Sequence, residues 1–198
     1  MERELLMAGI GGQGIQLAAQ LIATALADTG GHVQLFGSYS GMMRGGATEA
    51  TLVASDGDPD IQCPPTVSSA WSAIITHDAY AAGVLTRLRP GGLLVVNSSL
   101  CRSRPPAAAG VSVVEVPAAD LVLKGGPPAA TMAMVGAYSR ATGLVCLDAL
   151  VAALPKVLPP YRQRHVPASG KALSAGYEAT SPGQAPAWAH PATTEATR

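Results

Sequence analysis

Six consecutive residues near the start of the chain have the spacing of a phosphate-binding turn. The glycines fit the pattern G-x-G-x-x-G at Gly9, Gly11 and Gly14, and Gly12 and Gln13 lie between them. Glycine allows backbone angles that a Cβ would forbid, and it lets another group come close to the main chain. Free N–H groups at a helix start, with the helix dipole behind them, suit an anion such as a phosphate or pyrophosphate. The alternative is that the glycines only form a tight turn between a strand and a helix.

A second glycine-rich segment follows the next strand-like run. It contributes five candidate ligand-contacting residues: Ser38, Tyr39, Arg44, Gly45 and Gly46. The guanidinium of Arg44 could form paired hydrogen bonds to a phosphate or carboxylate. Alternatively, Arg44 is a surface arginine between two flexible turns. Ligands of open α/β sheets bind at the carboxyl ends of strands, so two glycine-rich loops at one sheet edge favour a binding site.

Three other polar residues follow apolar, strand-like runs. Asn97 follows Leu93–Val96 and could either hold a ligand or satisfy the backbone of its own loop. His77 and Asp78 are adjacent, but neighbouring residues at a strand end point to different sides. We therefore expect a helix start or a surface role for His77, with Asp78 as the cap of a helix over residues 79–88.

Two common kinds of cofactor site lack their sequence signals. A dinucleotide fold needs an acid at the end of its second strand for the ribose hydroxyls, and here the next acid is Glu49, beyond the second glycine loop. Plain NAD binding is therefore disfavoured. Cys63, Cys101 and Cys146 are far apart and form no C-x-x-C, so we predict buried or semi-buried free thiols rather than a metal or cluster site. Asp56–Asp60 fits a hairpin turn better than a metal loop.

Short apolar runs alternate with helical segments along most of the chain. This order predicts an α/β fold: an open, mostly parallel, Rossmann-like sheet with helices on both faces. We expect a single domain over residues 1–178. The remainder, residues 179–198, is predicted to be a flexible tail because it is rich in Ser, Pro, Gly, Ala and Thr.

The composition points to a protein that associates with partners. Of the 198 residues, 48% are hydrophobic and 13% charged, and the formal net charge is zero, which favours association. The balance gives no reason to expect nucleic-acid binding. A signal peptide and a membrane span are also not expected, so we predict a cytoplasmic location. The basic cluster from Lys156 to His165 is interpreted as a solvated face or as an interface with an acidic partner.

Four segments together carry a resemblance to a known family. They are residues 9–15, residues 38–39 with 44–46, residues 95–99 and residues 131–137. On these motifs the chain, over about residues 3–178, resembles the gamma subunit of the 2-oxoacid:ferredoxin oxidoreductases, which include pyruvate, 2-oxoglutarate, 2-oxoisovalerate and indolepyruvate enzymes. Gly41 and Met42 stand where that family usually has a proline and an acid, and Thr131 stands where it usually has an asparagine.

The resemblance implies a part in an oxidative decarboxylation that yields an acyl-CoA. Thiamine diphosphate, Mg and iron–sulfur clusters are then expected in partner subunits, namely alpha and beta, with or without a delta subunit. Electrons would pass to ferredoxin or another acceptor, and this chain would supply no catalytic residue. It would form a wall of the active site and help to bind coenzyme A through the two glycine segments, Asn97 and Thr131, although the residues themselves also allow Thr131 to be a helix cap. Two alternatives stay open: a free-standing nucleotide-binding protein or dehydrogenase, and a purely structural subunit.

Overall fold

The computed structural model describes residues 1–39, 45–57, 61–101, 110–122 and 125–188, and of Tyr39 only the backbone. Arg44 lies outside these ranges. The strands are β1 Glu2–Ile10, β2 His32–Tyr39, β3 Ala47–Ser55, β4 Ala70–Ile75, β5 Leu88–Asn97 and β6 Ser112–Val116. The helices are α1 Ile15–Asp28, α2 Ala81–Leu85, α3 Ala118–Val122, α4 Gly126–Thr142, α5 Leu147–Val157 and α6 Val166–Glu178. A first 3₁₀ helix spans Asp78–Tyr80 and a second spans Pro160–His165.

The six strands form one sheet in the order β2-β3-β1-β4-β5-β6. Neighbours from β1 through β4 and β5 to β6 are parallel, whereas β3 is antiparallel to both β1 and β2. The predicted α/β fold with a mostly parallel sheet is confirmed. Strand β3 lies between β1 and β2, although it follows β2 in the chain.

Helices cover the two faces of the sheet unequally. Side chains alternate along β1, so Leu5 and Met7 pack under α1, α4, α5 and α6, while Leu6 and Ala8 face the other side. That second side is covered by α2, the first 3₁₀ helix and the segment around Val67. The thick helical layer builds the larger core, and it also carries the candidate site. Among the described helices, none is both long and apolar enough to cross a lipid bilayer.

Helix α4 is the centre of the helical layer, and it packs on α6 with main chain against main chain. A Cβ added at Gly136 would lie 1.9 Å from the carbonyl oxygen of Leu173, and one added at Gly176 would lie 1.7 Å from that of Ala133. Both glycines are therefore required by close approach of the helices. Helix α4 can begin at Gly126 because two prolines fit its first turn, where their missing N–H groups cost nothing.

Packed structure continues past the predicted domain end at residue 178. After α6 the chain returns along the end of α4, where Gly183, Ala185 and Ala187 donate backbone hydrogen bonds of 3.2, 3.1 and 2.8 Å to successive carbonyls. The carbonyl of Ala187 also accepts a hydrogen bond of 2.6 Å from Arg3 Nε. The packed region thus extends to at least Trp188, which corrects the expectation of a tail beginning at 179. Residues 189–198 lie outside the described ranges.

Local boundaries differ from expectation around residues 77–92. The Nδ1 of His77, not Asp78, caps the first 3₁₀ helix by accepting from the Ala79 N–H at 3.2 Å. The helix predicted over 79–88 is shorter, because β5 already begins at Leu88. Residues 89–92 lie inside β5, and Gly91 there has φ 76°.

Candidate functional site

The first glycine turn leaves the start of helix α1 open. Gly14 is the N-cap residue, with φ 84°, and no side chain caps the helix. The first turn of α1 also carries no acidic residue. The unsatisfied N–H groups and the positive end of the helix dipole are therefore free to meet an anion. At Gly12 the backbone has φ 100° and a Cβ would meet no atom within 4 Å, so this part of the turn faces open space.

Gln13 stabilises the turn from inside. Its side-chain Oε1 accepts hydrogen bonds from the backbone N–H of Ile10 at 2.7 Å and from Thr76 Oγ1 at 2.6 Å. A Cβ at Gly9 would lie 1.9 Å from the same Thr76 Oγ1. Gly9 and Gln13, predicted as binding residues, are thus placed where they fix the backbone of the turn on the end of β4.

Thr131 supports the same turn from helix α4. Its buried Oγ1 donates to the carbonyl of Gln13 at 2.7 Å and lies 3.3 Å from that of Pro127. The structure therefore gives Thr131 a contact across 118 residues of sequence, in addition to a bond within its own helix. Its side chain is used to hold the turn, and helix capping, one of the two expected roles, is not what it does.

The two glycine segments lie against each other. The backbone N–H of Gly11 donates to the carbonyl of Gly46 at 2.8 Å, and Tyr80 Oη approaches the carbonyl of Gly45 at 3.5 Å. Ser38 is exposed near the end of β2. Arg44 and the side chain of Tyr39 lie outside the described residues, so their roles stay predictions.

Asn97 is used within its own loop. It is 1% exposed, its Nδ2 donates to the Thr76 carbonyl at 3.4 Å, and its Oδ1 accepts from the Ser99 N–H at 3.2 Å. Of the two roles expected for Asn97, the geometry supports satisfaction of the loop backbone.

A cleft of about 1200 Å³ opens beside the glycine turn. One wall is made by the turn and the starts of α1 and β3, and the other by the start of α4, the second 3₁₀ helix and α6. The lining includes Gly11, Gly12, Gly14 and Gly46 on the first wall and Pro128, Arg162, His165, Ser169 and Lys171 on the second. The sequence interpretation had left the basic cluster unconnected to the glycines. Pro167 at the second position of α6 was the available signal that a helix starts there.

The cleft has a positive lining. Among the described residues that form it, there is neither an aspartate nor a glutamate. Glu49, the first acid after β2, is held in a two-bond ion pair by Arg87, with Nη1 at 2.9 Å from Oε1. The carboxylate that would bind ribose hydroxyls in an NAD site is thus not provided by Glu49.

The chemistry available at this site is anion binding. Arginine, lysine and helix-start N–H groups are donors that suit phosphate oxygens. Within the described ranges, no three His, Cys, Asp or Glu side chains come together in a way that could hold a metal ion. The cysteines are free thiols: Cys101 is buried, Cys63 is partly buried, and Cys146, contrary to expectation, is exposed.

Fold and site together define a small α/β protein with a cleft beside a glycine turn, lined by basic side chains and by no described aspartate or glutamate. A family model, pyruvate ferredoxin/flavodoxin oxidoreductase, matches residues 4–179. The chain therefore belongs to the pyruvate ferredoxin/flavodoxin oxidoreductase family, which confirms the family expected from the glycine motifs.

Three known proteins show the extent of the similarity. The 2-oxoglutarate synthase subunit KorC of Methanothermobacter marburgensis is 29% identical over 171 residues, which is 81% of this chain and 88% of that subunit. The gamma subunit of a keto/oxoacid ferredoxin oxidoreductase from Geobacter sulfurreducens superposes with a TM-score of 0.70 at 25% identity, covering 89% of this chain and 96% of that one. These matches agree with a gamma-type subunit.

The third protein shares the fold. It is the 2-oxoglutarate:ferredoxin oxidoreductase from Magnetococcus marinus with 2-oxoglutarate, coenzyme A and succinyl-CoA bound. It superposes with a TM-score of 0.79 at 19% identity over 96% of this chain and 33% of that longer chain.

Proposed function

We propose that this chain is the gamma-type subunit of a complex that oxidatively decarboxylates a 2-oxoacid to an acyl-CoA. In this proposal the chain forms part of the active-site wall, and its cleft holds part of coenzyme A. The observation that carries the proposal is the union of two features: the family match over residues 4–179 and a cleft whose described lining is positive beside an open glycine turn.

Coenzyme A has the chemistry that the cleft favours. Its nucleotide end contains a pyrophosphate, which can lie against backbone N–H groups where no Cβ intervenes. Gly12 and Gly14 provide that surface at the start of α1. The cleft, at about 1200 Å³, is slightly larger than ordinary small-molecule sites of about 300–1,000 Å³, so it has room for part of a long ligand such as coenzyme A. The coenzyme A in the Magnetococcus protein of the same fold adds support for this choice of ligand.

The redox chemistry is assigned to partner subunits. The three cysteines have no cluster spacing in the sequence, and burial, followed by the charge of Asp78, raises the pKa of the Cys101 thiol to about 11. A protonated, buried thiol is a poor metal ligand, because the thiolate is the form that binds. We propose that alpha and beta subunits, with or without a delta subunit, carry thiamine diphosphate, Mg and the iron–sulfur clusters that reduce ferredoxin or another acceptor. A cytoplasmic location is part of the same proposal.

The assembly is tested by anaerobic purification of the tagged chain from its native host, followed by assays for iron and thiamine. Larger subunits that carry both are expected to co-purify. A colourless single chain would contradict the complex. NAD binding by that chain would then point to a free dehydrogenase, and loss of all ligand binding would point to a structural protein.

Steady-state kinetics of the complex test the coenzyme A site. The predicted contact of Arg44 implies that Arg44→Ala raises the KM for coenzyme A while leaving the KM for the 2-oxoacid nearly unchanged. An equal rise in both constants would contradict a local role. Arg87→Ala is the matched control, because Arg87 pairs with Glu49 and does not line the cleft.

A further inference from the structure

The wall of the cleft opposite the glycine turn presents one continuous polar stripe. Arg162 and His165 are three residues apart in a 3₁₀ helix, and such residues eclipse each other on one side. Ser169 follows His165 by four residues, which places it on the same side of helix α6. All three residues line the cleft, as does Lys171.

The first turn of α6 lies on the same wall of the cleft. No side chain caps α6, and its first turn contains no acid. Ala168 and Ser169, in that first turn, line the cleft. The 3₁₀ helix runs directly into α6, where the Val166 N–H donates to the Gln163 carbonyl and Pro167 has no N–H. This turn therefore adds no negative charge to the wall, and its ligand-binding groups are side chains.

The cations of this wall have no acidic partner among the described residues. Arg162 contacts the ring of Tyr161, with its guanidinium 5.6 Å from the ring centroid, and Lys171 has no ion pair in the described part of the chain. Three basic side chains elsewhere form ion pairs with a carboxylate: Arg87 with Glu49, Arg89 with Glu4 and Lys156 with Asp28. In a chain with 13 Lys and Arg in total, unpaired cations on one cleft wall call for an anionic ligand.

We propose that the side chains of Arg162, His165 and Lys171 form a second anion subsite that recognises a terminal phosphate monoester. The inference rests on the proposed function, because the monoester would be the 3′-phosphate on the ribose of coenzyme A. A phosphate monoester carries a charge of about −2 near neutral pH and three free oxygens. Long side chains can surround such a terminal group, whereas the bare backbone of the glycine turn suits a pyrophosphate that is bonded at both ends.

His165 is oriented by its neighbour for this role. Its Nε2 accepts a hydrogen bond of 3.3 Å from Arg164 Nε. A neutral imidazole that accepts at Nε2 carries its hydrogen on Nδ1, which is then a donor. His165 can thus contribute a hydrogen bond to phosphate without being charged.

The test compares coenzyme A with dephospho-coenzyme A, which lacks only the 3′-phosphate. Isothermal titration calorimetry is carried out on the full-length chain as it purifies, with any partner subunits. We expect coenzyme A to bind about tenfold or more tightly than dephospho-coenzyme A, the effect of one or more charge-assisted hydrogen bonds. The double variant Arg162→Gln/Lys171→Gln should bind both ligands as weakly as the unchanged protein binds dephospho-coenzyme A.

Lys156→Gln is the matched control, because it also removes a positive charge but lies on α5 outside the cleft. It should leave the preference for coenzyme A unchanged. Arg162 and Lys171 are exposed, so unchanged thermal unfolding of the double variant is expected and is checked alongside.

The outcomes separate the two proposals. Equal affinity of the unchanged protein for both ligands would overturn the monoester subsite and leave the coenzyme A site standing. A preference that survives in the double variant would place the recognition elsewhere and also overturn the inference. Binding of neither ligand would overturn the coenzyme A site itself, and the inference with it.

Discussion

Glycines are required for different structural reasons in two regions of this molecule. At the crossing of α4 and α6, Gly136 and Gly176 are needed because each helix backbone touches the other. In the turn between β1 and α1, Gly12 and Gly14 adopt positive φ, and Gly12 faces open space. The crossing is filled completely by the protein, whereas the turn leaves room for another molecule. What a Cβ would meet thus separates glycines that are required for helix packing from a glycine such as Gly12, which is required only for its backbone conformation.

Helix α4 connects the two regions. Its first turns reach the glycine turn through Thr131 and Pro128, and its middle carries Gly136. Changes at the crossing should therefore reduce stability most, changes in the turn should affect stability and binding together, and changes on the cleft wall should affect binding alone.

The largest effect is expected from Gly176→Ala. The new Cβ would lie 1.7 Å from the Ala133 carbonyl oxygen, so α4 and α6 must move apart, at a cost of about 3 kcal/mol in the free energy of unfolding. Urea denaturation measures this cost. Gly170→Ala in the same helix is the control, since its nearest atom would be Leu154 Cδ1 at 3.8 Å; it should gain about 0.5–1 kcal/mol from better helix propensity. Equal results for the two variants would show that the close crossing does not limit stability.

Gly9→Ala should have an intermediate effect. Its Cβ would displace Thr76 Oγ1 and break the hydrogen bond of 2.6 Å to Gln13, costing about 2 kcal/mol. Because the turn backbone also shifts, the affinity for coenzyme A should fall in calorimetry. For comparison, the nearest atoms to a Cβ at Gly11 would be at 3.5 Å, so Gly11→Ala should stay within about 0.5 kcal/mol of the unchanged protein. A greater loss of stability in Gly11→Ala than in Gly9→Ala would contradict the assigned roles.

Thr131→Val should cost less. The substitution keeps the shape but leaves the Gln13 carbonyl without its bond of 2.7 Å, a loss of about 1–2 kcal/mol for a buried acceptor. Thermal unfolding gives the change in stability. Thr131→Ser keeps the hydroxyl and should recover most of the difference, and a serine variant as unstable as the valine variant would mean that the methyl group, not the hydrogen bond, matters.

Tyr138→Phe, on the side of α4 that faces the sheet, should cause the smallest loss of stability at neutral pH. Tyr138→Phe removes a buried hydroxyl that bonds Ser72 Oγ at 3.0 Å, but Ser72 still donates to the Glu4 carbonyl. The cost near pH 7 should be about 1 kcal/mol or less.

At alkaline pH, Tyr138→Phe should become more stable than the unchanged protein. Burial raises the pKa of Tyr138 above its ordinary value of about 10, chiefly by desolvation. Above about pH 10 the unfolded phenol loses its proton while the folded one keeps it, so the unchanged protein loses stability as pH rises. Tyr138→Phe should lack this part of the decline in denaturation series between about pH 8 and 11. The exposed control Tyr161→Phe should follow the unchanged protein, and parallel curves for Tyr138→Phe would contradict the shift.

Local patterns predicted the parts of the fold that depend on local sequence. The order of strand, glycines and helix predicted the turn, and the alternation of apolar runs with helical segments predicted the mostly parallel sheet. The position of β3 was not predictable in this way, because pairing of Glu2 with Ser55 and of His32 with Ser55 is a matter of register across the whole sheet. The proximity of the basic cluster to the glycine turn was not predictable either, because it also depends on contacts between segments that are distant in sequence.

The same distinction between local sequence and distant contacts applies to the candidate site residues. The pattern of glycines correctly located the turn, yet it could not show that Gln13 points inward to Thr76 or that Asn97 serves its own loop. Side-chain direction depends on partners that are distant in sequence. The missed residues, Arg162 and Lys171, were visible as charges, but their common cleft arises from the return of α6 across α4.

The hydrogen bond between Arg3 and Ala187 has a consequence for the order of events during synthesis. β1 is synthesised before its sheet neighbours β3 and β4, which begin at Ala47 and Ala70. The hydrogen-bond partner of Arg3 comes 184 positions after it. β1 can pair as soon as β3 and then β4 have been made, but its contact through Arg3 cannot form until the segment around Ala187 exists. Contacts between segments so distant in sequence form slowly, so we expect docking of the segment around Ala187 to be a late step in folding.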